Sequence, residues 1–336
     1  MILFCFGTRP EWIKIKPIVA KLNKEDYKIL FTGQHTTLVN IDEDVTIDFD
    51  LSMDIKCNNR LDEIIVNTLA NFPEQEFDYV LVQGDTASAY SCALAAFNRR
   101  IKVIHLEAGL RSGNLEHPYP EEGYRQMISR IAAINLCPTD LSKANLDREN
   151  VLGENIVVGN TVLDNLVDIK GKSYYGNKVL ITLHRNENDH INHIWFEQIE
   201  TIASENKDLE FIFPMHPRPA VQKHRHIFKN VKVVDPMPHA EFLDLLAEAR
   251  FIITDSGGLQ EEGSYLGKKV IVCRETTERP EGILTGHIKL CLSPFYLYDL
   301  VMDVMGSYQI ENDCPYGDGF SSQRICNILR SDKNGN

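Results

Sequence analysis

The stretch Phe251-Ile-Ile-Thr-Asp255-Ser256-Gly257-Gly258-Leu259-Gln260-Glu261-Glu262, running on to Leu266-Gly267, decides how this chain is read. An apolar β-type run breaks at a serine and two glycines, and a helix-forming segment follows until Gly267; the pattern predicts a strand, a tight turn and a helix N-terminus. Such a turn gathers unpaired backbone N–H groups at one spot, adds the positive end of a helix dipole, and lets phosphates approach the glycines closely. It is a candidate diphosphate seat. Glu262, four residues past Gly258, suits sugar or ribose hydroxyls better than phosphate. A plain N-cap at Ser256 with a structural glycine turn fits the same residues, and the stretch alone leaves both readings open.

Outward from it, apolar runs of strand length alternate with segments of helical period. Strands are predicted at 2–6, 27–32, 79–83, 102–106, 135–137 and 156–158, with helices at 10–23, 61–71, 86–99 and 121–133. The alternation restarts after a weakly apolar stretch, 171–177, expected to be the linker, with strands at 178–183, 210–213, 231–234, 251–255 and 270–273. Strands apolar on both faces, each followed by a helix, predict parallel sheets covered by helices. The fold class is therefore α/β, two doubly wound domains: 1–170, and 171–319, with 320–336 returning to the first. Ligands of such sheets bind beyond the carboxyl ends of the strands, so the active site is expected in the cleft between the domains.

Composition narrows the partners. The 336 residues carry a formal net charge of −13 with no lysine or arginine run, which disfavours nucleic acid and anionic membrane surfaces. Eight cysteines are scattered without metal-like spacing, and most, such as Cys5, Cys137 and Cys273, read as core residues in a reducing, cytoplasmic setting. No apolar run approaches the roughly 20 residues of a membrane span. Only the tail from Ser331 looks disordered.

Polar residues just after strands point to chemistry. Gly7-Thr8-Arg9-Pro10-Glu11 follows the first strand, with Lys14 one turn into the helix; Arg9 and Lys14 are a cationic pair for a diphosphate or a solvated helix start. Asp85, Glu107 and Glu121 converge on one sheet end, and crowded carboxylates raise one another's pKa, as general acids and bases require. The alternative for Asp85 and Glu121 is first-turn capping. Two prolines are expected to hold the loop 116–121 extended. In the second half His184-Arg185-Asn186, the loop of His216, and Arg274 to Gly282 with Arg279 also follow strands. The last fits a solvated lid or a sugar contact, and spacing does not choose.

Taken together, FGTRPEWIKIKP from Phe6, GDT from Gly84, EAGLRSG from Glu107, PEE from Pro120, GNTVLD from Gly159, LHRNEN from Leu183, DSGGLQEE from Asp255, RETTERPEG from Arg274 and PYGDG from Pro315 resemble the non-hydrolysing UDP-N-acetylglucosamine 2-epimerases. They occur in that family's order across almost the whole chain. The resemblance implies two Rossmann-like domains of the glycosyltransferase B type, no metal or other cofactor, and a homodimer. It implies diphosphate contacts at Arg9, Ser256, Gly257 and Gly258, the uridine ribose at Glu262, and catalytic roles for Asp85, Glu107, Glu121 and His184. Lys14, Arg111, Arg185, His216 and Arg279 fall in matching substrate loops. The implied reaction is anti elimination of UDP to a 2-acetamidoglucal, then re-addition with the C2 proton returned on the other face. Two departures stand out. The stretch Gln34 to Arg60 is short, with Thr36-Thr37 after Gln34-His35, and Asn186 stands where members that bind a second, activating UDP-GlcNAc carry arginine. Weighed beside this reading are a related deoxy or diacetamido UDP-sugar as substrate, a B-type glycosyltransferase, a hydrolysing epimerase, and an inactive UDP-sugar sensor.

Overall fold

The first strand, β1 (Ile2–Phe6), shows why a parallel sheet forms. Its five residues are all buried; Ile2, Phe4 and Phe6 pack into one apolar cluster while Leu3 and Cys5 pack into another on the opposite face. Alternate side chains of a strand leave on opposite faces, so an uninterrupted apolar run needs cover on both. Each such leucine or phenylalanine contributes about 1.5–3 kcal/mol by leaving water.

The computed structural model describes residues 1–34, 46–51 and 56–334. The chain divides into two compact units, residues 1–165 with 319 onward, and residues 166–318. Unit 1 holds β1, β2 (Tyr27–Phe31), β3 (Phe49–Asp50), β4 (Tyr79–Gln83), β5 (Lys102–Leu106), β6 (Ile134–Cys137) and β7 (Glu154–Val157). Its helices are α1 (Arg9–Val19), α2 (Arg60–Asn71), α3 (Ala87–Asn98), α4 (Glu121–Ile131) and α5 (Asp140–Arg148), joined by the last helix of the chain. Unit 2 holds β8 (Lys178–Thr182), β9 (Glu210–Pro214), β10 (Lys232–Val234), β11 (Ala249–Thr254), β12 (Lys269–Val272) and β13 (Ile288–Leu290). Its helices are α6 (Val167–Lys170), α7 (Asn192–Glu205), α8 (Pro219–Gln222), α9 (His239–Glu248), α10 (Gly257–Tyr265), α11 (Glu281–Leu284) and α12 (Leu297–Gly306); α13 (Ser321–Asn334) then belongs to unit 1.

Strand order is β3-β2-β1-β4-β5-β6-β7 in one sheet and β10-β9-β8-β11-β12-β13 in the other, and every pairing is parallel. In both, the order reverses direction once, between β1 and β4 and between β8 and β11. Connections leave opposite faces there and open a crevice at the strands' carboxyl ends, which is where doubly wound sheets take ligands. The loops after β1, β4, β8 and β11 thus border these crevices. Close packing of the loop after β1 is set by Gly7: a Cβ there would lie 2.0 Å from Ser88 Oγ and 2.2 Å from Thr32 Oγ1. Gly7→Ala is expected to lose ~1–3 kcal/mol of stability, read as a lower urea midpoint, because the two hydroxyls must move apart.

Four expectations are corrected. The first helix stops at Val19 rather than Asn23, because its last bonds tighten to three-residue turns, Lys21 N to Ile18 O and Leu22 N to Val19 O. The tail is helical as far as Asn334, with Ser331 Oγ bonded to Asn327 O. The loop before Glu121 is not extended: it runs in turns, His117 N to Asn114 O and Glu122 N to Pro118 O, and both its proline peptides are cis. Finally, 171–177 packs on unit 2, Tyr174 N bonding Ala247 O and Tyr175 Oη bonding Gly267 O. The residues His35 to Val45 and Ser52 to Ile55, on which the short-stretch departure falls, lie outside the described residues. No helix among the described residues is long and apolar enough to cross a membrane.

Candidate active site

Unit 1 builds its residues on the ends of β1, β4 and β5. Glu107 follows β5 directly and has φ of +66°, a left-handed conformation that costs a non-glycine residue about 1–3 kcal/mol. What holds it there is its side chain. Lys14 Nζ, from one turn into α1, lies 2.5 and 2.6 Å from the two carboxylate oxygens, Asn160 Nδ2 donates to Oε1 at 3.2 Å, and Gln83 Nε2 donates to Oε2. The pair is nearly dry, with side-chain exposures of 13% for Lys14 and 8% for Glu107, so it is screened little by solvent.

Asp85, just past β4, is held by a different cation. Arg125 of α4 donates Nε and Nη2 to Asp85 Oδ2, the former at 2.9 Å, and Nη1 to Glu122 Oε2 at 3.3 Å; Ser112 N also reaches that oxygen at 3.0 Å. Among the described residues Asp85 Oδ1 accepts no hydrogen bond. Glu121 opens α4 and is half-buried. The crowding of carboxylates read from the sequence is therefore corrected: Asp85 and Glu107 each carry their own cation. Lys14 is spent on Glu107 and is not an open phosphate cation. Arg111 likewise forks onto Glu149 at 2.7 and 2.9 Å, and pulls that carboxyl below its ordinary range. Arg9, first residue of α1, is exposed.

Unit 2 presents the other expected residues beside its switch point. Asp255, wholly buried after β11, accepts His184 N at 2.9 Å, Arg185 N at 2.8 Å and Asn188 Nδ2 at 3.3 Å, which shapes the loop after β8. His184 Nδ1 lies 3.6 Å from Asp255 Oδ1, and the His184 ring stacks on His216 at 5.2 Å and 12°. Burial pulls both imidazoles below the ordinary histidine value; Arg185 and Arg218 push His184 further down while Asp255 opposes them. Arg218 clamps the loop by donating to His184 O at 2.6 Å, to Asn186 Oδ1 and to Asp189. Asn186, the departure from arginine, is thus an acceptor in this clamp. The Arg185 guanidinium bonds no described residue.

The Ser256-Gly257-Gly258 turn carries α10. Ser256 N donates to Thr254 Oγ1 at 2.9 Å, and the Ser256 side chain makes no capping bond. Among the described residues, the N–H groups of Gly257, Gly258 and Leu259 meet no acceptor. Beneath them lies a buried cation: Arg279 Nε bonds Glu261 Oε1 at 2.8 Å, and a Cβ on Gly257 would stand 2.8 Å from Arg279 Nη1. Glu262 is buried in the second turn of α10, as its spacing required. The charged loop after β12 is no solvated lid at its root, since Arg274, Glu278 and Arg279 are all buried.

A model of the UDP-N-acetylglucosamine 2-epimerase family matches residues 19–330. The UDP-N-acetylglucosamine 2-epimerase of Campylobacter jejuni is 37% identical over 377 residues, covering 99% of this chain and 98% of its own. The chain belongs to the UDP-N-acetylglucosamine 2-epimerase family. Among solved members, the Neisseria meningitidis epimerase bound to UDP-GlcNAc superposes with a TM-score of 0.85 at 33% identity, covering 98% of this chain and 99% of its own. The Methanocaldococcus jannaschii epimerase, in complex with UDP-GlcNAc and UDP, gives 0.82 at 31%, covering 98% and 99%. The epimerase fold is thus the two-sheet architecture described above, of glycosyltransferase B type.

Five residues of this epimerase that matter to the geometry were not singled out from sequence: Glu11, Gln83, Arg125, Asn160 and Asp255. Asp255 had a local signal, a carboxylate closing a strand before the glycine turn, and so had Glu11, which stands three residues after Thr8 in a capping box. Beside the site, His105 of β5 is wholly buried, its Nε2 2.8 Å from Gly84 O, and burial pushes its pKa down to about 4. Its folded-state pKa lies below the unfolded value near 6.5, so acid favours the unfolded chain. Stability is expected to fall as pH drops from about 6.5 to 4, with His105 alone contributing ~3 kcal/mol, and His184, His216 and His287 acting in the same direction. Urea unfolding at several pH values checks this, and the His105 ring protons should show no titration above pH 5.

Proposed function

We propose that the chain interconverts UDP-GlcNAc and UDP-ManNAc. The observation that carries this is the open N-terminus of α10, where three backbone N–H groups meet no acceptor among the described residues, above the buried Arg279. Such an end carries about half a positive charge and favours a diphosphate. Arg9 and Arg185 supply counter-charge, and Glu262 takes the ribose hydroxyls. His184, held neutral by burial, donates to the departing diphosphate.

Proton chemistry falls to the unit 1 residues. A base takes the C2 proton while the C1–O bond breaks, UDP leaves with the electron pair, and a 2-acetamidoglucal remains. UDP then returns to C1 while an acid delivers a proton to the other face of C2. Inversion needs acid–base groups on both faces; Glu107 and Glu121 carry the transfers, and Asp85, gripped by Arg125, orients them. The relatives named UDP-N-acetylglucosamine 2-epimerase support this reading, and we propose with it a cytoplasmic setting and a homodimer.

Proton NMR of the purified protein with UDP-GlcNAc in D₂O tests it. UDP-ManNAc with deuterium at C2 is the expected product. Free ManNAc plus UDP would mean hydrolysis instead, and no change would move the search to deoxy and diacetamido UDP-sugars.

A further inference from the structure

We propose that the Glu11 carboxylate is a built-in stand-in for a phosphate, closing the first strand-to-helix turn of unit 1 to anions and setting the Arg9 loop against the Asp85 loop. Glu11 is 1% exposed. Its Oε2 accepts from Gly7 N at 2.9 Å, Thr8 N at 2.7 Å and Thr8 Oγ1 at 2.8 Å, and its Oε1 accepts from Thr86 Oγ1 at 2.6 Å. Gly7 N and Thr8 N can only donate. Thr86 Oγ1 donates to Glu11 Oε1 and itself receives Ala89 N at 3.0 Å. Burial pushes the Glu11 pKa up and these donors oppose it; every contact nonetheless suits the ionised group. No lysine or arginine among the described residues pairs with it.

A buried anion held only by N–H and O–H donors, at a glycine-led turn between a first strand and a helix, has the surroundings that a nucleotide phosphate has in α/β folds. Here the third residue of the helix fills that place from within. The next strand end of the sheet is also plugged, since Ser88 N and Oγ both donate to Gln34 Oε1, at 3.1 and 2.7 Å. Among the described residues nothing comparable fills the α10 turn of unit 2. Two similar sheets therefore offer one phosphate seat, an inference that rests on the diphosphate assignment above. Glu11 is also a positioning residue, because its two oxygens tie the turn before Arg9 to the residue after Asp85.

The test is Glu11→Ala, which leaves an anion-sized space, beside Glu11→Gln, which fills it with an amide. Thermal unfolding is followed in sodium formate and in sodium chloride at equal ionic strength. Formate is expected to raise the Tm of Glu11→Ala by several degrees over chloride, and to leave wild type and Glu11→Gln alike in both salts. If Glu11→Ala is recovered unfolded, its refolding yield in the two salts gives the same reading. In the epimerase assay kcat of Glu11→Ala should drop about tenfold or more, with part of it restored by formate. Identical behaviour of Glu11→Ala in both salts overturns the proposal. A wild-type protein that failed to epimerise UDP-GlcNAc would remove the functional reading, while the formate response in unfolding still decides the role of Glu11.

Discussion

Glu107→Gln is expected to lower kcat for epimerisation by ~10²–10⁴-fold, the range that one positioned acid or base supplies, while UDP still binds. The substitution keeps size and shape but removes the charge that faces Lys14, at 2.5 and 2.6 Å, and replaces one acceptor with an amide. Two consequences separate. Proton transfer at C2 loses its carboxylate, and Lys14 loses its partner in a nearly dry setting, so the left-handed backbone at Glu107 loses part of what holds it. Because the α10 turn belongs to the other unit, calorimetric titration with UDP should change little. Rapid loss of UDP affinity in this variant, or a kcat within a few-fold of wild type, would sink the assignment. Deuterium wash-in at C2, measured separately from net epimerisation, tells which half of the reaction is hit.

Asp255→Ala should strike both stability and nucleotide binding. The carboxylate is buried and collects the N–H groups of His184 and Arg185 and the amide of Asn188. Leaving buried donors unpaired costs about 1–3 kcal/mol each. Urea unfolding should show a loss in that range. The loop that carries His184 and Arg185 would lose its anchor, so UDP should bind at least tenfold more weakly, equivalent to ~1.4 kcal/mol. A folded variant with wild-type UDP affinity would show that Arg218 alone sets the loop.

How much of this was legible beforehand depends on the range of the interaction. The strands at 2–6, 79–83 and 102–106 fall where they were read, because a strand covered on both faces must be apolar without interruption. The edge strands β3 and β13, of two and three residues, have no such run, and neither was expected. The helices α5 and α13 were missed for another reason: their mean apolarity is low and only a narrow stripe faces the core, Leu146 in one and Ile325, Cys326 and Leu329 in the other. In the site, residues at strand ends were visible because the α/β pattern places them. Their partners were not. Lys14 and Glu107 are 93 positions apart, Arg125 and Asp85 are 40, and His184 and Asp255 are 71. A carboxylate at a strand end looks the same in sequence whether a cation or another carboxylate waits across from it, which is why crowding was inferred where pairing is found.

The return of α13 to unit 1 bears on how the chain is made. Ile325, Cys326 and Leu329 complete the same apolar cluster as Ile2, Phe4 and Phe6, and Asp164 holds the start of the helix through Ser321 N and Ser322 N at 3.1 and 2.8 Å. On the ribosome those residues emerge only after all of unit 2. Unit 2 has its whole core in hand first, whereas unit 1, begun earlier, waits with one face of its sheet unfinished until the end. The segment synthesised first is thus the one that finishes folding last, and it is there that a chaperone would find exposed apolar surface.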